Sequence, residues 1–168
     1  FADELAQHII DAGLTPADIH IECLETEKVL ESDAALRELN RLDALGFTIL
    51  LDDFGAGYSN ISYLRRIPID MIKLDRSLVS QIATDDDSRI IARNVIMMLK
   101  ELNYEVLAEG VEDLETARML EEYGCDEAQG YLFARPLSAA DVPAWLLDSK
   151  PWRLLAQIHA DPRHHLEG

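Results

Sequence analysis

Two hydrophobic patterns alternate along most of the chain. Short runs of apolar, often β-branched residues are separated by longer segments whose apolar residues recur three and four positions apart. The short runs predict strands at residues 19–23, 47–51, 69–74, 105–108 and 127–130. The longer segments predict helices at residues 1–12, 36–45, 59–66, 87–102, 114–123 and 139–147. The chain therefore consists of repeated strand and helix units.

This alternation predicts an α/β fold with a parallel sheet. Each strand is followed by a helix before the next strand begins, which is the pattern of βαβ units. Residues 47–51 are almost continuously apolar, as expected of a strand covered on both faces. The chain has 168 residues, whereas an eight-stranded α/β barrel needs about 250. Five strands suit an open sheet and are three short of a closed barrel.

Composition limits the functional classes. The chain is 48% hydrophobic and 28% charged, which is typical of a globular protein. Its net charge of −17 argues against DNA or RNA binding, which depends on Lys and Arg neutralising phosphates. Cys23 and Cys125 lie far apart, without metal-binding or disulfide spacing, so we expect a reducing, cytoplasmic setting. The chain begins at Phe1 without a signal peptide, and we expect it to be part of a longer protein.

Ionisable or amide side chains stand at or just beyond the carboxyl end of every predicted strand. In parallel α/β folds, functional groups gather at the carboxyl ends of the strands. Any single acid there can be explained as a helix cap or turn residue. Acids at four consecutive strand ends would repel one another unless cations lay between them, and oxygen ligands suit Mg²⁺, Mn²⁺ or Ca²⁺. These residues are Glu22, Glu25, Asp52, Asp53, Lys73, Asp75, Glu109, Glu112 and Gln129.

Lys73 is the one cation in this set. It precedes Asp75 by two positions on a predicted strand, so both side chains point to the same face, towards the acids. Its charge either balances the acids or orients a nucleophilic water or a phosphate oxygen. The chain carries no GxGxxG, P-loop or GxSxG motif. Metal-assisted hydrolysis is therefore the chemistry that the residues favour.

Five longer motifs carry a family resemblance. They read DDFGAGYS at 52–59, YLRRIPID at 63–70, KLDRS at 73–77, AEGVE at 108–112, and GCD at 124–126 followed by QGYLFARPL at 129–137. They are similar to DDFGTGYSS, YLRRLPVD, KIDRSF, AEGVE and GCDxxQGYLFSRPL of the EAL family of cyclic-di-GMP phosphodiesterases. The resemblance extends over about residues 1–147.

This resemblance implies a TIM-like (βα) barrel of the EAL type, of which the chain holds about five βα units. Residues 1–148 would be the C-terminal part of the EAL domain and residues 149–168 a tail. The implied activity is hydrolysis of one phosphodiester bond of cyclic-di-GMP, giving linear pGpG in bacterial second-messenger signalling. It would use two divalent cations, Mg²⁺ or Mn²⁺.

The resemblance also assigns roles to single residues. The implied metal ligands are Glu22, Asp52, Asp53, Asp75 and Glu109. Lys73 would position the attacking water, and Glu25 would hold the loop at residues 55–59. Gln129 and Glu112 would support the substrate.

Three departures from the family pattern bear on activity. Residues 22–26 read ECLET where EITES is usual, and Ala56 replaces the commoner Thr. The Glu-Ala-Leu tripeptide is absent from the chain, as is a metal-binding Asn of a later strand. We therefore expect the isolated 168-residue chain to hydrolyse cyclic-di-GMP poorly or not at all.

Two other interpretations remain open. The chain could belong to a non-catalytic cyclic-di-GMP receptor built on a degenerate EAL domain, although its visible acids are intact. By the same resemblance, we expect a homodimer in which the short helix at 59–66 lies at the interface, with Leu64 as a contact residue. An upstream sensor or GGDEF domain is compatible with the family.

Overall fold

The fold is α/β with one parallel sheet. The computed structural model describes residues 1–24, 32–57 and 61–148, together with residues 153, 154, 156 and 158. Within these ranges, five strands pair in sequence order, each parallel to its neighbours. They are β1 (His20–Leu24), β2 (Thr48–Phe54), β3 (Met71–Leu74), β4 (Glu105–Ala108) and β5 (Glu127–Ala128). The predicted fold class is confirmed.

Helices connect the strands, mostly where the apolar periodicity predicts them. They are α1 (Ala2–Asp11), α2 (Asp33–Ala44), α3 (Arg76–Val79), α4 (Asp86–Glu101), α5 (Leu114–Glu122) and α6 (Val142–Leu147), with 3₁₀ helices at Pro16–Asp18 and Ile61–Arg66. Ser32, Asp85 and Asp113 begin α2, α4 and α5, each accepting a hydrogen bond from a backbone N–H three residues on. No helix in the described ranges is long and apolar enough to cross a membrane.

Two short helices were not predicted, and one predicted helix has a different form. The helices α3 and Pro16–Asp18 are too short to show an apolar period. The predicted helix at 59–66 is a 3₁₀ helix over Ile61–Arg66, and Ser59 lies outside the described residues. Strand β2 runs on to Phe54, so the two aspartates expected after the strand are part of it.

The two faces of the sheet differ in what they bury. Ile49, Leu51, Ile72, Leu74 and Val106 belong to the large core that the sheet shares with its helices. The alternate residues Leu50, Met71 and Leu107 form a separate, small cluster on the opposite face. Because side chains alternate along a strand, Asp52, Lys73 and Glu109 share this second face, beyond the small cluster. The candidate site therefore lies above an apolar layer, at the carboxyl ends of the strands.

Leu64 does not lie at a surface, contrary to the dimer contact expected from sequence. Its side chain is fully buried in the core. Its backbone carbonyl accepts a hydrogen bond of 2.8 Å from Tyr104 Oη, which anchors the 3₁₀ helix to the chain just before β4. Leu64 therefore stabilises the fold and is not available to a second copy.

The predicted tail at 149–168 falls mostly outside the described residues. Of the four tail residues described, Leu154 and Ile158 pack against the hydrophobic core. The proposed domain boundary after residue 148 stays a prediction.

Candidate active site

Lys73 is the centre of a charged cluster that spans four strands. Its side chain is buried, with a relative exposure of 5% for the residue. Its Nζ lies 2.8 Å from Glu22 Oε1 on β1, from Asp52 Oδ1 on β2 and from Glu109 Oε1 directly after β4. Strand β3, which carries Lys73, lies between β2 and β4. A single ammonium group therefore contacts acids from both sides of its own strand and offsets part of their charge.

The pKa of Lys73 reflects two opposing influences. Burial is the largest and lowers the pKa, since it disfavours the charged form. The contacts with Asp52, Glu109 and Glu22 together outweigh burial and raise the pKa above its usual value. Lys73 is therefore fully charged at neutral pH, so it acts as a fixed cation and hydrogen-bond donor rather than as a base.

Three carboxylates beside Lys73 converge as metal ligands do. Asp52, Asp53 and Glu109 each offer an oxygen within 4.8 Å of the other two. Strict alternation along β2 would place Asp52 and Asp53 on opposite faces. The register of β2 against β3 shifts between Leu51 and Phe54, and Asp53 has a φ of 59°, in the left-handed region. This bulge directs both aspartates to one site.

The local chemistry suits a hard divalent cation. Oδ1 of Asp52 is buried and accepts no hydrogen bond among the described residues, although it lies within ion-pair distance of Lys73. Buried acceptors are nearly always bonded, and exceptions concentrate at functional sites and ion sites. The three converging side chains offer only oxygen ligands, which Mg²⁺ and Mn²⁺ prefer. The residues present therefore fit such an ion.

Gln129 and Asp75, two of the other predicted site residues, have different positions. Gln129 Nε2 donates a 2.7 Å hydrogen bond to Glu109 Oε1, which fixes the side chain beside the carboxylate group. Asp75 begins α3, and its Oδ1 accepts a 2.9 Å hydrogen bond from the N–H of Ser77. Hydrogen bonding with Ser77 lowers the pKa of Asp75. Asp75 is thus a helix cap outside the converging group of three, and Glu25 lies outside the described residues.

A cavity of about 460 Å³ adjoins the carboxylates, and Glu109 is one of the residues that line it. Glu112 lies in its wall and forms an ion pair of 2.8 Å with Arg76. In the same wall, the guanidinium of Arg135 lies over the Tyr131 ring at 4.5 Å from its centroid. The lining residues are Arg76, Glu109, Gly110, Glu112, Gln129, Gly130, Tyr131, Ala134, Arg135 and Pro136.

Arg76, Tyr131 and Arg135 were not predicted as site residues. All three lie inside sequence motifs of the family resemblance, KLDRS at 73–77 and QGYLFARPL at 129–137. These motifs contain the three residues, but the alternation of strands and helices does not predict which loop residues turn towards a shared cavity. The carboxylates were easier to find because they directly end or follow strands.

The chain matches a family model over most of its length. Residues 1–136 match the EAL domain. Among curated proteins of Pseudomonas aeruginosa, the cyclic di-GMP phosphodiesterase NbdA is 38% identical over 86% of this chain and 18% of its own length. The bifunctional diguanylate cyclase/cyclic di-GMP phosphodiesterase MucR is 34% identical over 84% of this chain and 21% of its own length. The chain spans about a fifth of these relatives.

Solved structures agree with the sequence comparisons. The MucR phosphodiesterase in complex with c-di-GMP aligns with a TM-score of 0.75 at 34% identity, covering 83% of this chain and 57% of that one. Klebsiella pneumoniae BlrP1, in a manganese/c-di-GMP complex, aligns with a TM-score of 0.73 at 38% identity, covering 80% and 34%. Since these matches cover most of this chain and part of each neighbour, the described strands correspond to part of a TIM-like barrel.

Proposed function

The chain belongs to the EAL domain family, and we propose that it forms the larger part of a domain that hydrolyses cyclic-di-GMP to linear pGpG. The observation that carries the proposal is the convergence of the carboxylate oxygens of Asp52, Asp53 and Glu109, with the ammonium group of Lys73 beside Asp52 and Glu109. Relatives named as cyclic di-GMP phosphodiesterases support the same activity. The proposed substrate is cyclic-di-GMP, and the proposed cofactors are two divalent cations, Mg²⁺ or Mn²⁺.

The proposed ligands are oxygen atoms from four strand ends. Asp52, Asp53 and Glu109 supply the converging set, and Glu22 adds a carboxylate held by Lys73. Asp75 is the further proposed ligand, and its Oδ1 also accepts the hydrogen bond from Ser77. When bound, divalent cations acidify a coordinated water and stabilise charge on the attacking and leaving oxygens.

Lys73 and Gln129 have distinct roles in this proposal. Lys73 donates hydrogen bonds while remaining charged, so it can orient a water near the carboxylates and attract the phosphate. Gln129 holds Glu109 through its 2.7 Å bond and so fixes the direction of that ligand. Glu25, which lies outside the described residues, keeps its proposed role of holding the loop at residues 55–59.

The adjoining cavity would take the nucleotide part of the substrate. Arg76 and Arg135 line it and bring positive charge to a chain whose net charge is −17. The exposed ring of Tyr131 offers an aromatic surface against which a purine base can stack. Glu112 is positioned to accept hydrogen bonds from the substrate in the same cavity.

The decisive experiment measures product formation by the complete gene product that carries this sequence. We expect cyclic-di-GMP to be converted to pGpG in Mg²⁺ or Mn²⁺ and not in EDTA, with the nucleotides separated by liquid chromatography. Metal-dependent binding without any pGpG would instead favour the receptor function. No binding by calorimetry and no turnover in either metal would contradict the proposed function.

The proposal also covers the activity of the isolated chain and the assembly of the complete gene product. We expect the isolated 168-residue chain to have little activity. It contains no Glu-Ala-Leu tripeptide, and its described ranges hold five strands, whereas a TIM barrel has eight. We also expect the complete gene product to be a homodimer in the cytoplasm, joined to a sensor or GGDEF domain. Multi-angle light scattering over a dilution series tests the dimer, and a monomer mass at micromolar concentration would contradict it.

A further inference from the structure

The ion pair between Arg76 and Glu112 joins two loops at the wall of the cavity. Arg76 is the first residue of α3, directly beyond β3 and its cap, and Glu112 lies in the loop that follows β4. Arg76 Nη2 lies 2.8 Å from Glu112 Oε1, and the two side chains are 59% and 47% exposed. An ion pair with this exposure contributes little to folding stability. Its position in the cavity wall therefore points to a role in ligand binding.

The backbone at Gly110 is shaped to the stem of Arg76. A Cβ at this position would lie 2.6 Å from Arg76 Cγ and 2.9 Å from Arg76 Cβ and Cδ. Gly110 also has a φ of 68°, a conformation that glycine adopts without strain. The aliphatic part of Arg76 thus lies directly on the Gly110 backbone, and this contact directs the guanidinium towards Glu112.

The ion pair between Arg76 and Glu112 changes the charge that an anionic ligand meets in the cavity. Glu109 and Glu112 are both in the cavity wall, and each repels the phosphates of a cyclic dinucleotide. Arg76 cancels the charge of Glu112 while holding its Oε1, which leaves Oε2 as an acceptor. A carboxylate oxygen in this position can accept a hydrogen bond from an N–H donor on a purine edge, such as N1–H or N2–H of guanine.

We propose that Arg76 is a positioning residue for substrate recognition: resting on Gly110, it fixes Glu112 and neutralises it so that the cavity accepts a guanine nucleotide. This inference rests on the proposed function, because it concerns how the same substrate is bound. Arg76 acts through Glu112 and not on the reacting atoms. Loss of Arg76 therefore weakens binding and leaves the chemical step largely intact.

The test compares four variants of the complete gene product: Arg76→Ala, Glu112→Gln, the double variant, and Arg66→Ala as a control. Arg66 is an exposed arginine of the 3₁₀ helix and is not among the residues that line the cavity. We expect Arg76→Ala to raise the KM for cyclic-di-GMP about three- to tenfold, with kcat within about twofold of the parent. Arg66→Ala should leave both constants within about twofold.

The double variant distinguishes positioning from an independent contact. If Arg76 acts through Glu112, the KM of the double variant should be less than about twofold higher than the KM of Glu112→Gln alone. Arg76→Lys should recover part of the lost affinity, since it restores the charge without the forked geometry. Gly110→Ala should raise KM in the same direction as Arg76→Ala, because its Cβ displaces the Arg76 stem.

Two results would overturn the inference while leaving the proposed function standing. One is a KM for Arg76→Ala equal to that of Arg66→Ala. The other is a double variant whose increase in KM equals the product of the increases in Arg76→Ala and Glu112→Gln. If the parent protein shows no turnover, the same comparison is made on the dissociation constant of cyclic-di-GMP in Ca²⁺. A parent that neither binds nor hydrolyses it refutes the proposed function and, with it, this inference.

Discussion

Nζ of Lys73 lies 2.8 Å from Oδ1 of Asp52, yet Oδ1 accepts no hydrogen bond among the described residues. The two residues belong to neighbouring strands, and the contact is an ion pair. The ammonium group of Lys73 offsets the charge of Asp52, and the carboxylate oxygen keeps a lone pair for a further partner. A protein retains such an atom where it has another partner to bind, and a divalent cation fits this oxygen-rich position.

Asp52→Asn should abolish metal-dependent hydrolysis and leave the protein folded. The substitution removes the carboxylate charge of Asp52, so we expect the affinity for Mn²⁺ to fall at least about tenfold. Calorimetric titration with Mn²⁺ measures the affinity, and far-ultraviolet circular dichroism checks the fold. Asp43→Asn, at an exposed carboxylate of α2, is the matched control and should bind Mn²⁺ as the parent does. Unchanged affinity in Asp52→Asn would remove this residue from the metal site.

Lys73→Met should reduce both activity and stability. Without the ammonium group, Glu22, Asp52 and Glu109 face one another uncompensated. We expect the free energy of unfolding in EDTA to fall by about 1–3 kcal/mol, less than for a fully buried pair because these acids are partly exposed. Urea denaturation gives this value.

Lys100→Met provides the comparison for Lys73. Lys100 pairs with Asp126, but about a third of each side chain is exposed, so its loss should cost less than about 1 kcal/mol. Equal losses in the two variants would contradict a special role for Lys73 in holding the acids together.

The fold and most of the carboxylate cluster follow from local sequence signals. Buried strands and amphipathic helices have distinct periods, and parallel strands bring their carboxyl ends to one edge. These two facts are sufficient to place Asp52, Lys73 and Glu109 near one another. They also explain why the strand boundaries differ from the predicted ones by a few residues, since a period does not define the end of pairing.

The features that sequence did not reveal depend on contacts between distant segments. The bulge that turns Asp53 towards the site arises from the register between β2 and β3. Asp75 caps the start of α3, which a strand period does not predict, and its role as a metal ligand stays a prediction. Leu64 has the apolar character of an interface residue, and only the packing of Tyr104 and the core shows that it is internal.

Gly130→Ala should destabilise the protein and disturb the cavity. A Cβ at Gly130 would lie 2.2 Å from Val111 O and 2.4 Å from Val111 N, and a backbone cannot move aside as a flexible side chain can. The same stretch is held by hydrogen bonds of 3.0 Å, from Val111 N to Gln129 O and from Leu132 N to Val111 O. We expect the free energy of unfolding to fall by about 1–3 kcal/mol and the KM for cyclic-di-GMP to rise.

Gly57→Ala is the matched control for this clash. Among the described residues, no atom lies within 4 Å of a Cβ built at Gly57, and the φ of Gly57 is not positive. Its free energy of unfolding should stay within about 0.5 kcal/mol of the parent value. Urea denaturation of both variants checks the prediction, and equal effects at the two glycines would contradict the close approach at Gly130.

Cys125 should make the stability of the protein fall with rising pH above about 9. Burial raises the pKa of its thiol to about 12 in the folded protein, whereas the unfolded thiol ionises near its usual pKa of about 9. Between these values the folded state binds more protons than the unfolded state, so the free energy of unfolding decreases as pH rises, by up to about 1.4 kcal/mol per pH unit. Below pH 9 the contribution is fully present.

Urea denaturation at pH 8, 9 and 10 should show a steeper decline for the parent than for Cys125→Ala, which lacks the titrating group. Since the substitution also changes packing equally at every pH, only the slope is informative, and parallel slopes would show that the thiol ionises alike in both states.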